Sequence, residues 1–222
     1  MKSAGTRSES TAQIPTDGPV LAGDLAIPAG AAGVVLFAHG SGSSRHSPRN
    51  RFVARTIQES GIATLLLDLL STAEEREDAI DGHLRFNIAL LARRLAHAAL
   101  WIRGQPGTRH LGVGFFGAST GGAAALAAAA QLGPLVQAVV SRGGRPDLAD
   151  DALRQVDSPT LLIVGGRDEL VLELNRGAHS QLTCQKELVI VPGATHLFEE
   201  PDALEGVASL AADWFKRFLR PA

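Results

Sequence analysis

A chain of 222 residues is long enough to bury one sizeable core. Its 21 basic and 23 acidic residues leave a net charge of −2, which gives no electrostatic reason to expect nucleic acid or an anionic membrane as partner. The single cysteine, Cys184, excludes an internal disulfide and a multi-cysteine metal site, and it fits a reducing, cytoplasmic compartment.

Residues 1–17 are polar and lack the apolar stretch of a secretory signal, so a mobile tail is expected ahead of a single domain over residues 18–222. Pro19 to Ile27 supports an extended strand. The apolar run Val34 to Ala38 suits a strand buried on both faces of a parallel sheet, and the loop His39-Gly40-Ser41-Gly42 after it lets backbone approach a ligand. A helix is expected from Pro48 to Ser60, stopped by Gly61, and a strand from Ile62 to Asp68. Ser71 to Asp81 is acidic and polar and reads as a solvated loop or helix end. His83 to Arg103 has helical periodicity.

The short apolar run beginning at Leu111 ends abruptly in Gly117-Ala118-Ser119-Thr120-Gly121 and becomes an alanine-rich helix over Gly122 to Leu132. Its most apolar part, Ala123 to Ala130, is far shorter than the ~20 residues of a membrane span, and a buried helix is expected. Beyond it the pattern gives a strand (Val136 to Val140), a short helix (Leu148 to Val156) and a strand (Pro159 to Val164) ending in the turn Gly165 to Asp168. A helix (Leu170 to Leu182), a strand (Glu187 to Val191), the turn Pro192 to His196 and a helix (Pro201 to Leu219) complete the chain. Strands alternating with helices predict an α/β fold, a mostly parallel sheet with helices on both faces.

Strand, sharp turn and helix around Ser119 match the G-x-S-x-G elbow, in which strain exposes the serine and the flanking positions must be nearly free of side chain. Gly117 and Gly121 meet that need. In open parallel sheets ligands bind beyond the carboxyl ends of the strands, and His39 to Gly42, Ser119, Arg142, Asp168 and His196 each follow an apolar strand. A serine hydroxyl becomes nucleophilic when a base takes its proton and a third group fixes the base's tautomer. Ser119, His196 and Asp168 supply those roles, in the chain order Ser, Asp, His expected of α/β-hydrolases. Asp68, at the end of another strand, is the alternative acid.

These four ordered motifs resemble the α/β-hydrolase superfamily and, within it, the small dienelactone-hydrolase-like group, over Pro19 to Leu219. The resemblance implies an α/β-hydrolase fold, a catalytic triad of Ser119, Asp168 and His196, and an oxyanion hole made by the backbone N–H groups of Ser41 and Thr120. It also marks two departures. Dienelactone hydrolases carry a cysteine nucleophile where this chain has Ser119 and a glutamate where it has Gly40, and their arginine four residues past the histidine is here Glu200. The chemistry carries over; the dienelactone substrate does not.

Other features read more plainly. Gly112 to Gly117 matches G-x-G-x-x-G, but its glycines lie inside the strand and no acidic residue stands near the ribose-binding spacing, so no dinucleotide and no other cofactor is expected. No cluster has metal-ligand spacing, and no metal is expected. His39 is expected to brace its loop, and Cys184 to be a small buried hydrophobe. Arg142 is a candidate contact for an anionic or strongly polar substrate, while Arg145 either caps the next helix or joins it. With only a short connection after Val140, no cap domain is expected and the site should be open to a small-molecule substrate. The expected function is a serine esterase, a hydrolase that cleaves a small carboxylic ester, thioester or lactone through an acyl-enzyme. The alternatives are acyl transfer to peroxide or an alcohol by the same triad, or ligand binding with little turnover.

Overall fold

The computed structural model describes residues 7–222. Eight strands form one sheet: β1 (Ser8–Ile14), β2 (Leu21–Ile27), β3 (Gly33–Ala38), β4 (Ala63–Leu67), β5 (Gly112–Ala118), β6 (Val136–Arg142), β7 (Thr160–Gly165) and β8 (Lys186–Val191). Their order across the sheet is β1-β2-β4-β3-β5-β6-β7-β8. β1 and β2 run antiparallel at one edge, and everything from β4 to β8 is parallel.

Six helices cover the sheet: α1 (Pro48–Glu59), α2 (Thr72–Asp81), α3 (Ile88–Gly104), α4 (Thr120–Leu132), α5 (Glu169–Gln181) and α6 (Ala203–Phe218). α3, α4 and α5 pack on one face, where Leu95, Leu126 and Ala178 join the core around Phe115. α1 and α6 pack on the other, where Ile57 and Phe215 meet Phe37 and Phe116. β5 lies between β3 and β6 and is buried along its whole length, which places the elbow over the middle of the core.

The structure corrects three expectations. Ser8 to Ile14, expected as tail, is a strand paired with β2; it buries only Ala12 and Ile14, so the sequence carries little apolar signal there. Residues 1–6 of that expected tail lie outside the described residues. Ser71 to Asp81 is a full helix held by local bonds, with no apolar face: Ser71 and Glu74 form a capping box and Gly82 ends it at φ 73°. α3 starts at Ile88 because Asn87 caps it (Oδ1 accepting from Leu90 N–H, 3.0 Å), while the backbone before it is held by Asp78, whose carboxylate accepts from Leu84 and Arg85 N–H at 2.7 and 3.0 Å. Among the described residues no helix is long and apolar enough to cross a membrane. The connection from β6 to β7 holds only a kinked 3-10 segment, Pro146–Gln155, and no cap domain.

Candidate active site

Ser119 has φ 53° and ψ −123°, a conformation that L-residues rarely adopt and that is stored strain. Close packing holds it. A Cβ on Gly117 would lie 2.5 Å from Gly122 Cα, and one on Gly121 would lie 2.7 Å from His39 O, so strand and helix cross only because both positions are bare. Backbone bonds then fix the turn against the next strand: Ser119 N–H donates to Arg142 O at 3.3 Å and Arg145 N–H donates to Ser119 O at 3.0 Å.

Asp168 and His196 sit on neighbouring turns. Gly166 N–H donates to Val191 O and Arg167 N–H to Ala194 O, both at 2.9 Å, which ties the turn after β7 to the turn after β8. Asp168 is the N-cap residue of α5, yet its side chain caps nothing. Its Oδ2 instead lies 2.6 Å from His196 Nδ1. The carboxylate is mostly buried and the imidazole about two-fifths exposed. This contact directs the Nδ1 proton at the acid and leaves Nε2 able to accept. Among the described residues no hydrogen bond joins Ser119 Oγ to His196, although both abut the same segment: a Cβ on Gly143 would lie 3.6 Å from His196 Cε1. Asp68, the alternative acid, is paired with Arg45 and accepts its backbone N–H at 2.7 Å.

The loop after β3 packs directly on Ser119: a side chain at Gly40 would meet Ser119 Cβ at 3.0 Å. His39 braces it. Its Nε2 accepts from Leu69 N–H at 3.1 Å, so Nδ1 carries the proton and donates to Gly40 O at 3.0 Å. Burial pushes its pKa down and keeps the ring neutral. Thr120 N–H, first of α4, has no carbonyl partner within the helix. Ser41 N–H is engaged, donating to Thr120 Oγ1 at 2.9 Å. Beside this loop lies a cavity of about 280 Å³ lined by Gly40, Ser41, Leu69, Leu70, Arg85 and Thr120, among others. A larger hollow of about 370 Å³, over β1, β2 and α1, is lined by none of the Ser119, Asp168 or His196 turns.

Arg142 is buried at the end of β6 on the α1–α6 side. Its Nε and Nη1 are sealed without an acceptor, and its nearest organised neighbour is the Phe198 ring, 5.9 Å away. Burial, and next the charge of Arg49, lower its pKa to about 10, so it remains a cation at neutral pH. Arg145 is held by a two-pronged pair with Asp147 at 2.8 and 2.9 Å. Cys184 is half-buried against the core, and burial raises its thiol pKa. Asp78, Asp81 and His83 offer ligand atoms within 4.8 Å of one another, but Asp78 is spent on Arg85 and backbone N–H groups, and Asp81 on His83. Sequence reasoning missed the Arg45–Asp68 pair and Arg85, which lie in no motif, and the Thr120 hydroxyl, which occupies a variable position of the elbow motif.

A family model described as the dienelactone hydrolase family matches residues 21–220. A crystal structure of a dienelactone hydrolase from Anabaena variabilis superposes with a TM-score of 0.95 and 57% identity, covering 96% of this chain and 99% of that one. Est1E from Butyrivibrio proteoclasticus shares the fold at 17% identity, with a TM-score of 0.77 over 93% of this chain and 98% of its own. Curated proteins of two Mycobacterium tuberculosis strains, provisionally named phosphoribosyl transferases, are 58% identical over 199 residues. Those residues are 89% of this chain but only 44% of the relatives' length.

Proposed function

The chain belongs to the dienelactone hydrolase family, and from that premise we propose that it is a serine hydrolase that cleaves a small carboxylic ester, thioester or lactone through an acyl-enzyme. The observation that carries this reading is the 2.6 Å contact of His196 Nδ1 with Asp168 Oδ2, on the strand edge that also holds the strained Ser119. In the proposed reaction His196 Nε2 takes the Ser119 proton as Oγ bonds to the carbonyl carbon, and the carbonyl electrons move to oxygen. The oxyanion hole is built at the Thr120 N–H and the Ser41 loop, where the head of α4 favours negative charge. Collapse expels the alcohol or thiol with the proton from His196, and water, deprotonated by the same imidazole, releases the acid and restores Ser119.

The cavity of about 280 Å³ beside the Ser41 loop, lined by Thr120 but not by Ser119, Asp168 or His196, leaves room next to the nucleophile for a compact substrate. The exposed His196 ring leaves the acyl-enzyme open to water, which favours hydrolysis over transfer to another acceptor. Phosphoribosyl transfer is attached by name to relatives more than twice as long, and an activated serine has no role in displacing diphosphate from a sugar. Arg142 is proposed to orient an anionic or strongly polar substrate, supported by its buried guanidinium lacking an acceptor. Arg142→Ala should then slow an acidic ester more than its neutral analogue; equal effects would count against the contact.

The test is labelling with a fluorophosphonate followed by a panel of esters of graded acyl length. The expected result is label on Ser119, turnover of short esters, and loss of both in a folded Ser119→Ala variant. Undiminished hydrolysis by that variant would overturn the mechanism.

A further inference from the structure

An oxyanion hole of two backbone donors requires both N–H groups to be available, and here one is already taken. Ser41 N–H donates to Thr120 Oγ1 at 2.9 Å. The acceptor is not a surface group: Thr120, next to Ser119 in the chain, is 3% exposed and is one of the residues that line the cavity beside the Ser41 loop. A threonine hydroxyl that accepts one bond still has a proton to give, and among the described residues no acceptor takes it. Thr120 is also the first residue of α4, so its own unpaired N–H lies beside that hydroxyl at the positive end of the helix.

We propose that the Thr120 side-chain hydroxyl is itself an oxyanion donor, with Ser41 N–H acting through it. The inference rests on the serine-hydrolase reading and makes Thr120 a catalytic residue of that site. As Ser119 Oγ bonds to the carbonyl carbon and charge collects on oxygen, the hydroxyl rotates its free proton onto that oxygen without giving it up. The oxyanion then has two donors from one residue, the backbone N–H and the O–H of Thr120. Ser41 N–H polarises the hydroxyl from behind, and each bond in such a chain strengthens the next. A hydroxyl pointed at an anion makes a short, strong bond, while its bond to a neutral carbonyl is weaker, so the gain falls on the transition state.

Two arrangements of the hole predict effects of opposite sign when the hydroxyl is removed. If Ser41 N–H were the direct donor, the hydroxyl would compete with the oxyanion for it, and Thr120→Val would leave kcat unchanged or raise it. If the hydroxyl donates, Thr120→Val should lower kcat about 10²- to 10³-fold, the usual loss for one oxyanion donor, with KM changing less than about threefold. Thr120→Ser, which keeps the O–H, should stay within about tenfold of wild type. Affinity for a trifluoromethyl ketone, which forms an oxyanion on Ser119, should fall in parallel with kcat in the valine variant, whereas a merely structural role would not give that parallel. Should the valine variant not fold, Thr120→Ala gives the same comparison of signs. Full-rate hydrolysis by either folded variant overturns the role of Thr120 alone; full-rate hydrolysis by Ser119→Ala overturns the reading beneath it.

Discussion

Gly121→Ala would test whether the elbow is held by close packing. An added Cβ would sit 2.7 Å from both Ala38 C and His39 O, where ordinary contacts begin at 3.4 Å. Both neighbours are backbone, and Ala38 O, also backbone, would lie closer still, so relief requires the end of β3 and the head of α4 to part by clearly more than the shortfall of about 0.7 Å at those two atoms. Overpacking of this kind costs about 1–3 kcal/mol. The gain in helix propensity on replacing glycine, about 1 kcal/mol, offsets part of it, but rigid backbone on one side keeps the cost near the top of its range. We expect a net loss of about 2 kcal/mol, read as a melting temperature lower by about 4–8 °C for a domain of this size. Because β3 carries the Ser41 loop while Ser119 and Thr120 stand at the head of α4, the same separation pulls Ser41 N–H away from Thr120 Oγ1, and in the proposed site a shift approaching 1 Å should cost roughly 10²-fold in kcat/KM. Thermal unfolding and initial-rate ester hydrolysis measure the two effects. Gly206→Ala, inside α6 with nothing within 4 Å of its added Cβ, should be neutral or slightly stabilising. An alanine at 121 that melts with wild type and turns over at its rate would refute the packing argument.

Asp168→Asn should leave the fold intact but favour the wrong tautomer of His196, with a kcat loss of about 10⁴-fold if the serine-protease comparison holds; near-normal rates would remove Asp168 from the acid role. Ester hydrolysis should fall in acid, because a protonated imidazole cannot accept the serine proton, and an acid-independent rate would contradict a histidine base. Exhaustive chelation should leave hydrolysis unchanged, since the proposed donors come from the chain itself; loss on chelation, restored by a divalent ion, would refute this. Arg94 holds the Glu74 carboxyl down from its ordinary 4.5 to about 2 by direct hydrogen bonds, so folding gains stability that is complete above 4.5 and lost as pH falls towards 2. The full shift is worth about 3 kcal/mol, and screening at the partly exposed carboxylate reduces that to about 1–2 kcal/mol. Urea midpoints measured across that range should show the loss in wild type and a flatter profile in Glu74→Gln.

Legibility in the sequence follows the range of the forces involved. The buried strands could be read because both faces of β3, β5 and β7 are covered, so apolar residues run unbroken. The elbow could be read because its steric demand falls on two glycines close in sequence. β1 escaped notice because an edge strand with one face in solvent needs only Ala12 and Ile14 inside, and α2 because its capping box and the Arg94–Glu74 pair replace an apolar stripe. Arg142 illustrates a middle case. Its place after an apolar run was visible, but β6 continues through it, and the lack of an acceptor for its Nε and Nη1 among the described residues is a property of the packed core that no local pattern encodes.

The occupancy of Ser41 N–H follows the same logic and bears on how the site is held ready. A loop rich in glycine and serine has little intrinsic order, and a group on it that polarises the proposed oxyanion donor is useful only if its position costs nothing at the moment of reaction. Three side-chain bonds to groups remote in sequence supply that order. Neutral His39 joins Leu69 N–H to Gly40 O, Arg45 joins Asp68 after β4, and Thr120 joins Ser41 to the first turn of α4. Each of these bonds is made inside the protein before substrate arrives, so the loop need not be ordered by binding energy. Among the described residues the Thr120 hydroxyl accepts from Ser41 N–H and gives its own proton to no acceptor. That is why the same threonine can fix the loop in the resting protein and still offer a proton to an oxygen that becomes charged.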